Sequence, residues 1–374
     1  RILSSFGGWK MISEETSKRI TSLRFLLAIL VVFIHNNFTP EKILESASVS
    51  GAATLFCPNS FTEWIQYFIS YGLGSCTFPL FFLFAAYLQV LKSDSYPVLI
   101  KKRTKSLVIP YFIWIGIYLV YQIFGKLIIS RVMPSVLAHP DNIVSYWGWK
   151  DWLHYIFGYG KTNNNPLAAG QFWFLRDLII LVFISPVLKY LIRKYPKTYF
   201  LVISIFYFSG IQVYFVQTEA LFFYSLGLYW GILDFDLFNF VDNMHWTGCS
   251  IVFLFILIRT KYFPVNIFML KIIAISSAFI ILKISKFIIN KQKLFHISEY
   301  LAGFSFFLYA IHMPALLQLL QTLWLHFLPM KSPSLCLFEY FGVTILTILI
   351  GTMFGILLRK ICPPLFSLLN GGRK

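Results

Sequence analysis

Charge is scarce in this chain, and acid is scarcer than base. Of 374 residues only 13% are Asp, Glu, Lys or Arg, and the 15 acidic residues stand against 32 basic ones. A soluble domain of this length needs a far more charged surface, so that class is excluded. Cysteine is sparse too: five residues (57, 76, 249, 336 and 362) lie scattered, with no CxxC and no His at ligand spacing. They indicate neither a zinc site nor a disulfide framework, although Cys57 and Cys76 could pair. No glycine-rich phosphate loop, HExxH or GxSxG is present, which leaves no motif for a nucleotide hydrolase, a zinc protease or a serine esterase. No acidic pair falls inside an apolar run, and no internal repeat is visible, which counts against an inverted-repeat transporter. The first apolar run lacks a small-residue cleavage site and reads as a retained helix.

What the chain has is hydrocarbon. Hydrophobic residues make up 58%, with 41 Phe and 21 Tyr, and mean hydropathy is +0.71. Apolar runs near spanning length recur at 20–38, 62–91, 107–131, 171–193, 198–217, 219–234, 246–261, 263–289, 298–326 and 335–360. The sixth and seventh are short and interrupted by Asp234, Asp236 and Asp242. The expected fold is an all-α integral membrane protein with about ten transmembrane helices.

The net charge of +17 collects in short loops such as "KKRTK" at 101–105. This is the positive-inside pattern, so the expectation is no nucleic acid partner. With the N-terminus inside, sixteen Lys and Arg fall on the cytosolic side and seven outside, which places both termini in the cytosol. The organisation reads as a cytosolic N-terminal extension (1–18), a transmembrane domain (19–361) and a cytosolic tail (362–374). Its largest outer loop, 132–170, carries "YWGWKDWLHYIFGY". That core suits an interfacial helix, and its rings also suit stacking on sugars. "NFT" at 37–39 matches a glycosylation sequon but abuts the membrane.

The first run, "RFLLAILVVFIH", brackets ten apolar residues between Arg24 and His35. Eleven residues at 100° each leave the two within about 20° on one helix face and about 16 Å apart along the axis. An intramembrane ionisable residue is a functional candidate by default; the alternative has Arg24 snorkelling to headgroups and His35 marking the outer interface. Lys102, Arg103 and Lys105 open the third run, either as a plain membrane entry or as a phosphate clamp, with Arg103 best suited to bidentate binding. "GQFWFLRDL" gathers Gln171, Trp173, Arg176 and Asp177 at a helix entrance. Asp177 can also simply complement the helix dipole there. His312 lies halfway along the ninth run, two residues before Pro314, which should perturb the helix at that point.

Together these stretches resemble the acyltransferase-3 family of membrane O-acyltransferases. The resemblance rests on Arg24 and His35 with ten residues between, "FPLFFLFAAYL" (78–88), "KKRTKSLVIPY", "FWFLRDLIILVFISPVL", "LFFYSLGLYWGILD" and "FFLYAIHMPAL". They occur in order over most of 19–316. Ala85-Ala86 replaces the family's usual Ser-Gly, and Ser106 stands where some members have a second Arg.

The resemblance implies a multi-pass protein of the bacterial inner membrane. It implies that acetyl-CoA is the cytosolic donor, that no metal takes part, and that the acetyl group goes to a hydroxyl of a cell-surface or lipid-linked glycan. In that scheme Arg24, Lys102, Arg103 and Lys105 hold the donor phosphates. His35 acts as general base or forms a transient acyl-imidazole, with Asp177 and His312 orienting or relaying protons. Trp173, with Gln171 and Arg176, shapes the acceptor side. Membrane lipids are the remaining partners, and a homodimer is one arrangement the chain permits. The rival reading is a transporter or flippase of lipid-linked sugars without acyl transfer.

Overall fold

In a computed structural model, residues 13–37, 60–92, 94–121, 123, 147–158, 170–211, 213, 215–262, 266–328 and 332–373 are described. The expected N-terminal extension up to residue 12, Cys57, the end of the NFT sequon and most of the outer loop lie outside them. Every regular element among the described residues is helical. In chain order they are α1 (Glu14–His35), α2 (Ser60–Gln66), α3 (Thr77–Leu91), α4 (Tyr96–Arg103), α5 (Ile109–Val120), α6 (Trp149–Phe157) and α7 (Trp173–Lys194). There follow α8 (Pro196–Ser209), α9 (Thr218–Leu233), α10 (Leu237–Asn243), α11 (Trp246–Tyr262), α12 (Ile267–Asn290) and α13 (Gln292–Ala302). The last are α14 (Ser305–Ile311), α15 (Leu317–Phe327), α16 (Pro333–Ile361) and α17 (Pro363–Leu369).

Among the described residues, each of the ten expected runs lies at least partly on a helix. Among the described residues four stretches are long and apolar enough to cross a membrane: Phe61–Leu91, Ile267–Asn290, Ser305–Phe327 and Pro333–Ile361. A fifth is the pair α9 and α10, bent by 100°. The acidic residues that interrupt the sequence there make the bend. Asp234 closes α9 with a left-handed φ of 57°, and the Asp236 carboxylate caps α10 by accepting from the Asn239 N–H at 3.0 Å.

Helix α16 shows how the outer and inner faces differ. In α16 the outward stripe is Phe338, Ile345, Leu349, Met353 and Leu357, while the buried stripe is Tyr340, Thr344, Thr347, Gly351 and Gly355. Large apolar groups face hydrocarbon and small or polar ones face protein, as packing within lipid requires.

The chain divides into two compact units. The first holds residues up to Leu26, Ser75–Thr104 and Asp177–Ala302. Its most extensive helix pair is α3 with α9. The sequence "GLYWG" (227–231) sets that approach: a Cβ on Gly227 would meet the Leu83 carbonyl oxygen at 2.3 Å, and one on Gly231 would meet Val90 Cβ at 2.7 Å. This is a GxxxG contact between backbones. Ala86, one of the two residues replacing Ser-Gly, lies fully buried against Gly227.

The same unit buries a guanidinium completely. Arg19 donates to both oxygens of Asp242 at 2.8 and 2.9 Å, to Ser285 Oγ at 2.8 Å and to the Leu282 carbonyl at 3.2 Å, and it lies over the Phe238 ring. Lys286 reaches the same carboxylate at 2.9 Å.

The second unit holds Leu27–Gly74, Lys105–Arg176 and Gly303–Lys374. Here α16 packs on α2, α14, α15 and α17, and α17 packs on α5. Trp114 Nε1 donates to the Leu369 carbonyl at 2.9 Å, which ties α5 to α17. Helix α1 contributes to both units.

Two stability measurements follow. Gly227→Ala should lose about 2–3 kcal/mol in denaturant unfolding because the new methyl meets backbone. Gly248→Ala, whose methyl would meet nothing within 4 Å, should be neutral or slightly stabilising. Asp242→Asn should cost about 3 kcal/mol by removing the charge that matches buried Arg19.

Candidate functional site

The candidate residues form two clusters, one in each unit. In the second unit the last turn of α1 is clamped on several sides. Ser70 Oγ donates to the Phe33 carbonyl at 2.8 Å and lies 2.7 Å from the Tyr340 hydroxyl. Asn36, fully buried, donates to the Tyr340 carbonyl and to Thr344 Oγ1, each at 3.0 Å, and accepts from Gln321 Nε2 at 2.7 Å. These contacts fix the backbone on which His35 sits half-buried.

His35 faces His312, with ring centroids 5.1 Å apart. The sequence places the two imidazoles 277 residues apart; the fold makes them neighbours. His312 is fully buried and begins a π-helical turn, His312–Leu316, that breaks the ninth run at the expected place. Met313 there has extended dihedrals (φ −125°, ψ 151°).

Such turns recur at functional sites. Two others adjoin candidate residues: Tyr67–Leu73, which carries Ser70, and Thr104–Val108, directly after Arg103.

The break exposes backbone groups, and the neighbouring helices take them. Gln171 Nε2 donates to the Met313 carbonyl at 2.6 Å, Tyr309 Oη donates to the Gln171 carbonyl, and Tyr118 Oη donates to the Ala310 carbonyl at 2.5 Å. Gln171 is therefore part of the frame that holds the His312 segment. His312 Nδ1 lies 2.7 Å from the Tyr309 carbonyl. A carbonyl only accepts, so Nδ1 carries the proton in the neutral ring and Nε2 carries the lone pair. That Nε2 is buried with no hydrogen-bond partner among the described residues. A buried basic nitrogen held ready beside a second imidazole is an arrangement for moving protons.

In the first unit, Arg24 and Arg103 lie close enough to repel one another. Both are half-buried, and neither forms a salt bridge within the described residues. Burial pulls the Arg103 guanidinium below its ordinary range. Desolvation, followed by the charges of Arg103 and Arg24, lowers the Lys92 ammonium as well. Three cations thus converge, and the one carboxylate within electrostatic reach of Arg103 and Lys92, Asp94, is already paired with Lys102; the excess positive charge favours an anion. Lys92 joins this group through the fold alone, standing eleven residues before Arg103.

Other candidates have different surroundings. Lys102 pairs with Asp94 at 2.6 Å, and Lys105 is exposed. Arg176 Nη1 donates to the Phe157 carbonyl at 2.6 Å, closing the C-terminus of α6. That helix is the "WKDWLHYIF" of the outer loop, and its start is tied by the Gly148 N–H donating to Asp151 at 2.8 Å. Asp177, adjacent in sequence, belongs to the first unit, where its fully buried carboxylate accepts from the Gln217 N–H at 2.8 Å. Trp173 is half-buried and edge-on to Phe174. Among the described residues no group of three His, Cys, Asp or Glu is arranged to hold a metal ion.

Residues 18–358 match the family described as Acyl_transf_3, acyltransferase domain. The chain belongs to this family, and its lipid-facing helices make it a multi-pass membrane member. Over 229 residues it is 25% identical to the succinoglycan biosynthesis protein ExoH of Rhizobium meliloti (strain 1021). That alignment covers 58% of this chain and 55% of ExoH, so the chain spans about half the length of this relative. No solved structure matches.

His312→Gln should lower acyl-transfer turnover about 100-fold with little change in melting temperature, as measured on purified protein by kinetics and thermal unfolding.

Proposed function

We propose that this protein is a membrane O-acetyltransferase that moves an acetyl group from cytosolic acetyl-CoA to a hydroxyl of a cell-surface or lipid-linked glycan. The observation that carries the reading is helix α1 itself. It bears Arg24 in a cluster where cations outnumber the single nearby carboxylate, Asp94, and, about 16 Å further along the same face, His35 against the buried His312.

Arg24 and Arg103 hold the donor's phosphates, with Lys92 and Lys105 adding to the positive field and Arg103 suited to bidentate contact. A rise of about 16 Å along α1 is comparable to an extended pantetheine arm, so the thioester reaches the level of His35.

His35 takes the proton of the acceptor hydroxyl as its oxygen attacks the thioester carbonyl carbon. The carbon–sulfur bond breaks, and the proton passes to the departing thiolate. His312, whose ring centroid lies 5.1 Å from that of His35, supplies the neutral imidazole that stabilises the protonated His35. Gln171 maintains His312, while Arg176 and Asp177 keep the surrounding helices in place. A glycan acceptor agrees with the relative's role in succinoglycan biosynthesis and with the aromatic outer helix.

The test uses purified protein in liposomes. Labelled acetyl-CoA and a glycan acceptor should give transfer that His35→Ala abolishes, while acetyl-CoA still raises the melting temperature. Arg103→Gln should remove that thermal stabilisation. Full transfer by His35→Ala would sink the proposed base, and no stabilisation of the unaltered protein by acetyl-CoA or CoA would favour the flippase reading.

A further inference from the structure

A second basic site remains in the first unit, outside the cluster of Arg24, Lys92 and Arg103. It is a cavity of about 530 Å³ beside α4 and the C-terminal half of α7, within the size range of small-molecule sites. Asp94 and Tyr96 line it on one side, and Ser185, Lys189, Tyr190 and Arg193 on the other, with Lys194 also on its wall. Three cations therefore surround one carboxylate, and Lys102 already pairs with that carboxylate at 2.6 Å. The cavity carries a net positive charge, because its one carboxylate is shared with Lys102.

Its walls are organised. Tyr96 Oη donates to the Phe183 carbonyl at 2.8 Å, which holds that ring. Lys194 Nζ donates to Tyr190 Oη at 2.9 Å. Behind them runs a buried chain of hydrogen bonds: Tyr224 Oη donates to Gln89 Oε1 at 2.6 Å, and Gln89 Nε2 donates to Ser185 Oγ at 2.9 Å. All three side chains are buried, and Tyr224 lies within electrostatic reach of Arg103. Two side chains thus separate the wall of the cavity from the guanidinium assigned to the donor.

We infer that this cavity receives the 3′-phosphorylated nucleoside end of the donor. The inference rests on the donor reading above and extends it. Coenzyme A carries a phosphomonoester on its ribose in addition to the diphosphate of its arm, and the two must be neutralised at separate places. Lys189 and Arg193 take the ribose phosphate while Arg103 and Arg24 take the diphosphate. The exposed rings of Tyr96 and Tyr190 give the purine a face to stack on, and Asp94 accepts from its exocyclic amine. A phospholipid headgroup offers the same phosphate chemistry, so the test separates the two sources.

The full chain, in nanodiscs of phosphatidylcholine alone, is titrated calorimetrically with CoA and with 3′-dephospho-CoA. The unaltered protein should bind CoA at least about tenfold more tightly, the worth of one charge-assisted contact. Lys189→Gln with Arg193→Gln should bring the ratio close to one by weakening CoA alone, and each single substitution should give an intermediate ratio if the double variant fails to fold. Arg103→Gln should weaken both ligands and leave the ratio intact. Equal binding of the two ligands by the unaltered protein overturns the cavity assignment while leaving the donor reading in place. No binding of either ligand overturns the donor reading itself. If, in parallel nanodiscs doped with phosphatidylglycerol, Lys189 and Arg193 instead govern retention of that lipid and leave the CoA preference unaltered, the cavity is a headgroup site and the inference fails.

Discussion

A guanidinium among helices that face hydrocarbon must be matched by a counter-charge or put to use, and α1 does both within two turns. Arg19 is fully buried and fully answered by Asp242, Ser285 and a backbone carbonyl. Five residues on, Arg24 meets another arginine in place of an acid. On the proposed function, the contrast separates a structural cation from a functional one. The first joins α1 to α10 and α12, and the second keeps a positive field for a ligand to neutralise. With α1 fixed by Arg19 near one end and by Asn36 just past the other, the face carrying Arg24 and His35 has a defined direction.

The chemistry at the other cluster depends on a helix that does not continue. The seven residues of α14 make few hydrogen bonds of their own. The position of His312 is therefore set by Tyr118 and Gln171 from elsewhere in its unit, together with the Tyr309 carbonyl of α14 itself. Burial without a partner for Nε2 would be a fault in a structural histidine. Beside His35, with ring centroids 5.1 Å apart, it leaves an acceptor nitrogen free of any partner among the described residues.

Much of this is legible in the sequence, because membrane helices announce themselves by length and hydropathy. The break at Pro314, the shared face of Arg24 and His35, and the interruption at Asp234 all follow from local rules of backbone and spacing. Partnerships across the chain do not. Nothing local shows that Asp242 answers Arg19, that Lys92 joins Arg103, or that Asn36 ties α1 to α16. Arg176 and Asp177 show the other side of the same limit. They are consecutive in a polar cluster at a helix entrance, yet one closes α6 and the other receives the Gln217 N–H, because side chains 100° apart meet different neighbours.

The distance between Arg24 and His35 carries a consequence for metabolism. On the donor reading, the cations at one end of α1 that hold the phosphates are too far from the thioester to sense whether it is intact. They hold acylated and spent coenzyme with equal strength. Free coenzyme is then a competitor as tight as the substrate. The protein would respond to the ratio of acylated to free coenzyme in the cell more than to the amount of either, so that decoration of the acceptor follows the carbon supply.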